Sequence, residues 1–218
     1  MLRGIKVSGI KEFFRAKLYI GLVHYPIVSK DGRITQTSVT NLDVHDIART
    51  ARTYDLSGYY LIAPAENQLG LLKKIIGHWS EGFGLEYNSD RSEALSLIRI
   101  SPSISDAVSQ IGRETGREVR TVVTDAKIHE NNSRNISCIS LQNMLKLNDL
   151  SFILLFGTGW GLANAAIEKA DHILEPIRPL TEHGYNHLSV RAAAAIITDR
   201  IVGENSFGPK SGAENISK

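Results

Sequence analysis

Short runs of apolar residues alternate along most of this chain with longer segments in which apolar residues recur every three or four positions. The short runs are typical of buried strands, and the longer segments are typical of helices with one apolar face. The pattern predicts strands at residues 18–23, 58–63, 95–100, 119–124, 152–156 and 172–175. It predicts helices near residues 43–51, 69–79, 139–147, 162–170 and 188–202, with a further helix capped by Ser103 or Ser105.

The repeated alternation of strand and helix predicts an α/β protein with a mainly parallel sheet and helices on both of its faces. The chain has 218 residues, which is long enough for one substantial domain. We assign residues 18–203 to that domain. Residues 1–17 are interpreted as a basic N-terminal extension, and the polar, glycine-containing residues 204–218 are expected to be disordered.

Composition excludes several classes of protein. A hydrophobic content of 42% with 22% charged residues is that of an ordinary globular domain. The net charge of +2 permits a local nucleic-acid-binding patch without requiring one. Because Cys138 is the single cysteine, neither an internal disulfide nor a cysteine-only zinc site can form. No apolar run approaches the roughly 18 residues of a membrane span, so we expect a cytoplasmic protein.

A glycine-rich loop, Gly157–Gly161, lies between the most hydrophobic predicted strand and a helix. Glycines let the backbone approach a ligand closely, and the N–H groups at a helix start bind polar or anionic groups. A dinucleotide-binding turn is one reading, with Glu175 as the ribose-binding acid. The G-x-G-x-G spacing and the late position of the loop fit that reading poorly.

A second segment, Gly184–Arg191, is polar and irregular, and it leads into an alanine-rich helix that begins with Ala192. Asn186 or Ser189 is suited to cap this helix. Small residues at its start permit close packing of another backbone or of a partner helix. The segment is therefore either a second binding element or a simple capped helix start.

Three segments of the chain resemble the motifs of SPOUT (α/β-knot) RNA methyltransferases, in the right order and at suitable separation. They are residues 43–51, residues 154–162, and residues 175–177 together with 186–195. The resemblance is closer still to a bacterial subfamily of RNA, or tRNA guanine-N1, methyltransferase C-terminal-type domains, and it covers about residues 19–202.

The resemblance implies a sheet whose C-terminal part is threaded into a trefoil knot. It also implies S-adenosylmethionine as the cofactor, a tRNA or rRNA substrate, and a homodimer with its active site at the subunit interface. The residues that it assigns to the cofactor pocket are Thr124, Phe156, Gly157, Gly159, Gly161, Ile177, Asn186, His187, Leu188 and Ser189.

Departures from the family pattern bear on the atom that is methylated. His187 stands where the ribose-methylating branch usually has asparagine, and the acidic residue of that branch's second motif is absent. We therefore expect methylation of a base, with guanine N1 as the leading candidate. The alternatives are ribose 2′-O methylation and a catalytically silent, RNA-binding SPOUT dimer.

Three residues are candidates for catalysis. Arg49 resembles the arginine of the first motif, and a guanidinium can hold a phosphate or stabilise negative charge that develops on a base. Asp43 or Asp46 could accept a proton from guanine, although acidic residues at a helix start also serve as caps.

Several other residues are also candidates for binding or packing roles. His45, His183 and His187 suggest a metal site, but we expect none, because Pro179 and Gly184 disfavour a helix that would bring His183 and His187 together. Trp160 is interpreted as a core residue in preference to a cover over the cofactor. The stretch 79–91 mixes aromatic, glycine and charged residues, a pattern equally consistent with clamping RNA and with a plain connection.

Overall fold

The computed structural model describes residues 13–64, 70, 72, 74, 77, 89–180 and 184–203. Among these residues the strands are β1 (Lys17–Val23), β2 (Ile27–Val28), β3 (Ile34–Thr35), β4 (Gly58–Ile62), β5 (Ile98–Ser101), β6 (Val119–Thr124), β7 (Asn135–Ile136), β8 (Ser151–Gly157) and β9 (His172–Leu174). The helices with assigned bounds are α1 (Asn41–Thr53), α2 (Ser89–Leu95), α3 (Ile104–Thr115), α4 (Cys138–Leu147), α5 (Asn164–Lys169) and α6 (Val190–Val202).

Seven strands form one sheet in the order β5-β4-β1-β8-β6-β9-β7, and every neighbouring pair is parallel. The predicted parallel sheet is therefore confirmed. Strand β1 lies between β4 and β8, with Leu22 opposite Leu61 of β4 and Phe156 of β8. Strands β2 and β3 form a separate antiparallel hairpin, and Ile27 of that hairpin also bridges to Leu162.

Helices cover both faces of the sheet, as predicted. Successive residues of a strand point to opposite faces, so β1 contributes to two cores. Leu18 and Leu22 pack in the core that includes residues of α1, α4 and α6. Tyr19 and Val23 pack in the opposite core with residues of α3 and α5. Each core removes the apolar face of its helices from water, which is the main force that holds the layers together.

The structure corrects two details of the predicted elements. Leu95 ends helix α2, so the third predicted strand begins only at Ile98. Strand β7 has two residues, too few to produce an apolar run, and it was not predicted. The predicted helix 69–79 lies mostly outside the described residues, although Leu72 is helical and fully buried. Among the described residues, no helix combines the length and the apolar character that crossing a bilayer requires.

The order of the strands creates a crevice at one edge of the sheet. Strands β4 and β5 lie on one side of β1, whereas β8 and β6 lie on the other. In open parallel sheets, ligands bind outside the carboxyl ends of the strands, near the point where the order of the strands reverses. In this fold Thr124 of β6 and Gly157 of β8 end at that place, directly before the loops that follow.

Candidate functional site

A cavity of about 850 Å³ opens at the carboxyl ends of β6 and β8. This volume is near the upper end of the roughly 300–1,000 Å³ typical of small-molecule sites. The glycine loop 157–161 forms one wall, and the segment 184–191 forms another. All the residues predicted to bind the cofactor lie in the walls: Thr124, Phe156, Gly157, Gly159, Gly161, Ile177, Asn186, His187, Leu188 and Ser189.

The glycine loop folds back on itself so tightly that its first residue has to be glycine. A Cβ atom on Gly157 would lie 2.5 Å from the backbone nitrogen of Leu162 and 2.8 Å from the carbonyl carbon of Gly161. Gly159 and Gly161 have φ values of 60° and 102°, which favour glycine. The loop is a close-fitting backbone cradle, which suits a nucleotide-like ligand that needs close approach.

Hydrogen bonds fix this loop to the hairpin and to the end of β1. The N–H of Trp160 donates to the carbonyl oxygen of Val28 at 3.2 Å, and the N–H of Val28 donates to the carbonyl oxygen of Gly161 at 2.9 Å. The Thr158 hydroxyl donates to the carbonyl oxygen of Val23 at 3.0 Å. Both ends of the turn are therefore held, and the cavity wall is rigid where the loop forms it.

A buried histidine supports the same loop from behind. His24 is 1% exposed, and its Nδ1 lies 3.0 Å from the hydroxyl of Thr37. The Thr37 hydroxyl lies 2.5 Å from that of Thr158 in the glycine loop. Burial lowers the pKa of His24 to about 4, and the negative charge of Asp43 only partly opposes this. His24 is therefore neutral at pH 7.

The second wall is tied to the rest of the domain by side chains at both ends. The Asn186 side-chain amide donates to the carbonyl oxygen of Ala126 at 3.2 Å. Ser189 caps α6 by accepting a hydrogen bond from the N–H of Ala192. Arg191 pairs with the carboxylate of Asp43 at 2.8 Å and with that of Asp46 at 3.3 Å. The Arg191 contacts join the start of α6 to the start of α1.

Of the three catalytic candidates, only Asp43 lies in the cavity wall. Asp43 is 5% exposed, and its second carboxylate oxygen accepts a hydrogen bond from the Thr40 hydroxyl at 2.6 Å. Asp46 and Arg49 are exposed on α1, outside the wall. The structure therefore brings Asp43 to the cavity and leaves Arg49 on the surface beside it.

Sequence reasoning missed Asp125, a second carboxylate in the wall. Its Oδ2 lies 2.9 Å from Nε2 of His129, and its Oδ1 accepts from the N–H of Lys127 at 3.1 Å. Its Oδ1 is also next to the glycine loop, 3.9 Å from the place of a Cβ atom on Gly161. Its position directly after Thr124, at a predicted strand end, was a usable signal.

Other sequence interpretations can now be compared with the structure. Trp160 is 56% exposed, so its interpretation as a core residue was wrong. Glu175 lines a separate cavity of about 310 Å³, which does not favour the dinucleotide reading. The ring of His187 contacts that of Tyr185 edge-on at 5.2 Å. His183 and most of the stretch 79–91 lie outside the described residues.

A parallel sheet with a glycine-lined cavity at the carboxyl ends of its strands is typical of the class of proteins that bind a nucleotide-like cofactor. The family described as SAM-dependent RNA methyltransferase matches residues 17–203. The chain therefore belongs to this family, whose described reaction is the transfer of a methyl group from S-adenosylmethionine to RNA.

Two relatives differ in how much of their length the chain covers. A tRNA (guanine-N(1)-)-methyltransferase of Oleidesulfovibrio alaskensis is 43% identical over 187 residues, which are 86% of this chain and 42% of that protein. The chain thus spans less than half of that relative. An uncharacterized protein of Aquifex aeolicus is 37% identical over 188 residues, which are 86% of this chain and 89% of that protein.

Solved structures share the fold. A methylase family protein from Haemophilus influenzae has a TM-score of 0.58 at 15% identity, covering 94% of this chain and 73% of the other. The SpoU methyltransferase AviRb from Streptomyces viridochromogenes, solved with its cofactor AdoMet, has a TM-score of 0.53 at 14% identity, covering 89% of this chain and 62% of the other. These likenesses confirm the predicted SPOUT class of fold.

Replacing Gly157 with alanine tests the backbone cradle. The added Cβ has to displace the backbone of residues 161 and 162, so we expect a loss of about 1–3 kcal/mol of unfolding free energy. We also expect at least a roughly tenfold weaker affinity for S-adenosylhomocysteine by calorimetry. Gly112→Ala, in α3, is the matched control. Its Cβ atom would lie 3.7 Å from the nearest atom, the carbonyl oxygen of Arg117, which is an ordinary contact distance. Equal affinities of Gly157→Ala and the control would contradict this account of the loop.

The low pKa of His24 predicts acid sensitivity. Its ordinary value of 6.5 applies in the unfolded chain, whereas burial holds it at about 4 in the folded protein. Between these values only the unfolded state binds the proton, so stability falls as the pH drops through this window, by about 3 kcal/mol from this group. Urea unfolding at pH 7 and pH 4.5 checks this, with His24→Gln expected to lose less stability over the same interval. Identical losses in both proteins would rule His24 out as the cause.

Proposed function

We propose that this enzyme methylates a base of tRNA or rRNA, with guanine N1 as the leading target atom. The observation that carries the proposal is the cavity of about 850 Å³ between the glycine loop and the segment 184–191. Its volume leaves room for a base beside a bound cofactor. Its walls combine apolar residues such as Phe156 and Leu188 with polar residues such as Asn186, the mixture that a purine-containing ligand needs.

The name of the longer relative, a tRNA guanine-N1 methyltransferase, supports a tRNA substrate for this chain, but it does not establish which atom this chain methylates. More than half of the Oleidesulfovibrio protein lies outside the match, and guanine-N1 activity is a property of that whole protein. The Aquifex relative consists almost entirely of the matching region. The matching region therefore occurs in chains of very different length, so guanine N1 stays a proposal for this chain. Ribose 2′-O methylation is the alternative.

The walls of the cavity suit S-adenosylmethionine. The absence of a side chain at Gly157 allows the tight turn of the loop that forms this wall. Asp125, beside Gly161 in the wall, is suited to accept hydrogen bonds from ribose hydroxyls. The predicted pocket residues would contribute mainly backbone groups and apolar contacts. When bound, the cofactor supplies an electrophilic methyl group on a sulfonium sulfur.

Methylation of guanine N1 requires a group that accepts the N1 proton. We propose Asp43 for this role, because its carboxylate is in the cavity wall. Arg191 forms ion pairs with both Asp43 and Asp46. When Asp43 accepts the proton and loses its negative charge, the contact to Asp46 would keep the guanidinium of Arg191 in place. Arg49 is proposed to contact the RNA from the exposed side of α1.

We further propose a cytoplasmic homodimer with a knotted C-terminal part. Exposed apolar side chains on neighbouring elements support an interface: Leu42 on α1 is 60% exposed and Leu188 before α6 is 45% exposed. Helices α1 and α6 pack against each other, so these side chains belong to adjoining surfaces. An interface there would lie next to the cavity and to Arg49. The likeness to SpoU methyltransferases supports the knot.

Modified nucleosides in RNA from cells with and without the protein test the function. Mass spectrometry is expected to find one methylated base that disappears from tRNA or rRNA when the protein is absent. Loss of a 2′-O-methylated nucleoside instead would favour the alternative. Unchanged nucleosides, together with unimpaired binding of S-adenosylhomocysteine, would favour a silent RNA-binding protein. As a control, the wild-type chain and the Gly157→Ala variant are each returned to the cells that lack the protein. The methylated base should reappear with the wild-type chain and not with Gly157→Ala.

The role of Arg49 predicts a specific loss. Arg49→Ala should reduce methyl transfer to RNA by about two orders of magnitude while the affinity for S-adenosylhomocysteine stays the same, because Arg49 lies outside the cavity wall. Incorporation of labelled methyl groups and calorimetry measure the two quantities. Arg113→Ala, an exposed arginine on α3 across the sheet, is the matched control. Turnover of Arg49→Ala equal to that of the control would remove Arg49 from the mechanism.

A further inference from the structure

Trp160 lies in the cavity wall, yet 56% of its surface is exposed. A tryptophan left in water forgoes the burial of a large apolar surface, and it is usually found where that surface meets a partner. The role of Trp160 is not explained by the fold, because no core depends on it. The side chain is available for contact with whatever enters the cavity.

The backbone that carries this indole is held in a fixed place. Gly159 and Gly161, on either side of Trp160, have positive φ values that turn the chain sharply. The Trp160 N–H is bound to the carbonyl oxygen of Val28, and the carbonyl oxygen of Gly161 is bound to the N–H of Val28. Because the loop backbone is already ordered, binding through Trp160 costs only the conformational freedom of its side chain, which favours its use as a stacking surface.

The opposite wall also carries aromatic groups. Tyr185 is 67% exposed, and its ring lies against the ring of His187, whose own side chain is in the wall. Trp160 and the Tyr185–His187 pair thus come from the two chain segments that enclose the cavity. Aromatic rings on two sides of an opening are the arrangement with which proteins hold unstacked RNA bases.

Charge at the opening fits the same ligand. Lys127 is exposed and lines both this cavity and the smaller one beside it. Arg178, also exposed, lines the smaller cavity. Neither side chain forms an ion pair with another residue in the described part of the chain. The positively charged side chains of Lys127 and Arg178, next to the aromatic opening, are suited to bind the phosphates of an RNA strand.

We propose that Trp160 stacks on a base of the RNA substrate where the strand enters the cavity. This inference rests on the proposed methylation of RNA. The cofactor is the less suitable partner, since the tight backbone cradle at Gly157 lies at the base of the loop whereas Trp160 is at its exposed tip. Trp160 is therefore a positioning residue for the substrate.

Steady-state kinetics separate stacking from a general structural effect. Trp160→Ala should raise KM for RNA roughly 5- to 150-fold, the range found when one base–aromatic contact is removed. Its affinity for S-adenosylhomocysteine should stay within about twofold of wild type. Trp160→Phe should recover most of the loss, because a smaller ring still stacks. Leu147→Ala, which removes another exposed apolar side chain outside the cavity, is the control.

Fluorescence detects the contact directly. The chain has two tryptophans, so a Trp79→Phe background leaves Trp160 as the single indole. Total tRNA and rRNA from cells lacking the protein are titrated into this variant with S-adenosylhomocysteine present. Stacking predicts quenching of the indole by RNA. Quenching by S-adenosylhomocysteine alone, with no further change on adding RNA, would assign Trp160 to the cofactor and overturn the proposal.

The two proposals fail in different ways. If wild type methylates RNA but Trp160→Ala keeps the same KM and RNA causes no quenching, the stacking role is wrong and the proposed function stands. If RNA quenches Trp160 but no RNA is methylated, the proposed function is wrong, whereas stacking on RNA is supported.

Discussion

The close approach of the backbone to itself at Gly157 is the constraint on which the site depends. The chain leaves β8, turns through the glycine loop and returns so near that a Cβ atom would meet the Leu162 nitrogen at 2.5 Å. That turn opens the cavity at the end of the sheet, aligns the loop with the hairpin and projects Trp160 outward. A larger residue at this point would move all three at once, since they share one stretch of backbone.

The opposite wall depends on an ion pair between parts of the chain that are distant in sequence. Arg191, in the first turn of α6, reaches the buried Asp43 in the first turn of α1. An unpaired carboxylate at that depth would be costly, so the pair stabilises the packing of α6 on α1 and fixes the segment before it. The walls of the cavity are thus held by backbone geometry on one side and by charge on the other.

Local patterns were sufficient to predict most of the fold, whereas the residues around the cavity were predicted from the resemblance to SPOUT methyltransferases. The alternation in β1 separates Leu18 and Leu22 from Tyr19 and Val23, and the two sets do face opposite cores. What the sequence did not predict depends on packing between distant segments. The partner of Asp43 is 148 positions away, and the exposure of Trp160 follows from the hairpin that holds its loop. Strand β7 forms only because β9 is beside it.

The central claim is that the cavity between the glycine loop and the segment before α6 holds the methyl donor. A crystal structure of the chain with S-adenosylhomocysteine tests it most directly. The account predicts ligand density against Gly157 and Gly161 on one side and against Asn186–Ser189 on the other. Density at a different place on the protein, with this cavity empty, would contradict the account.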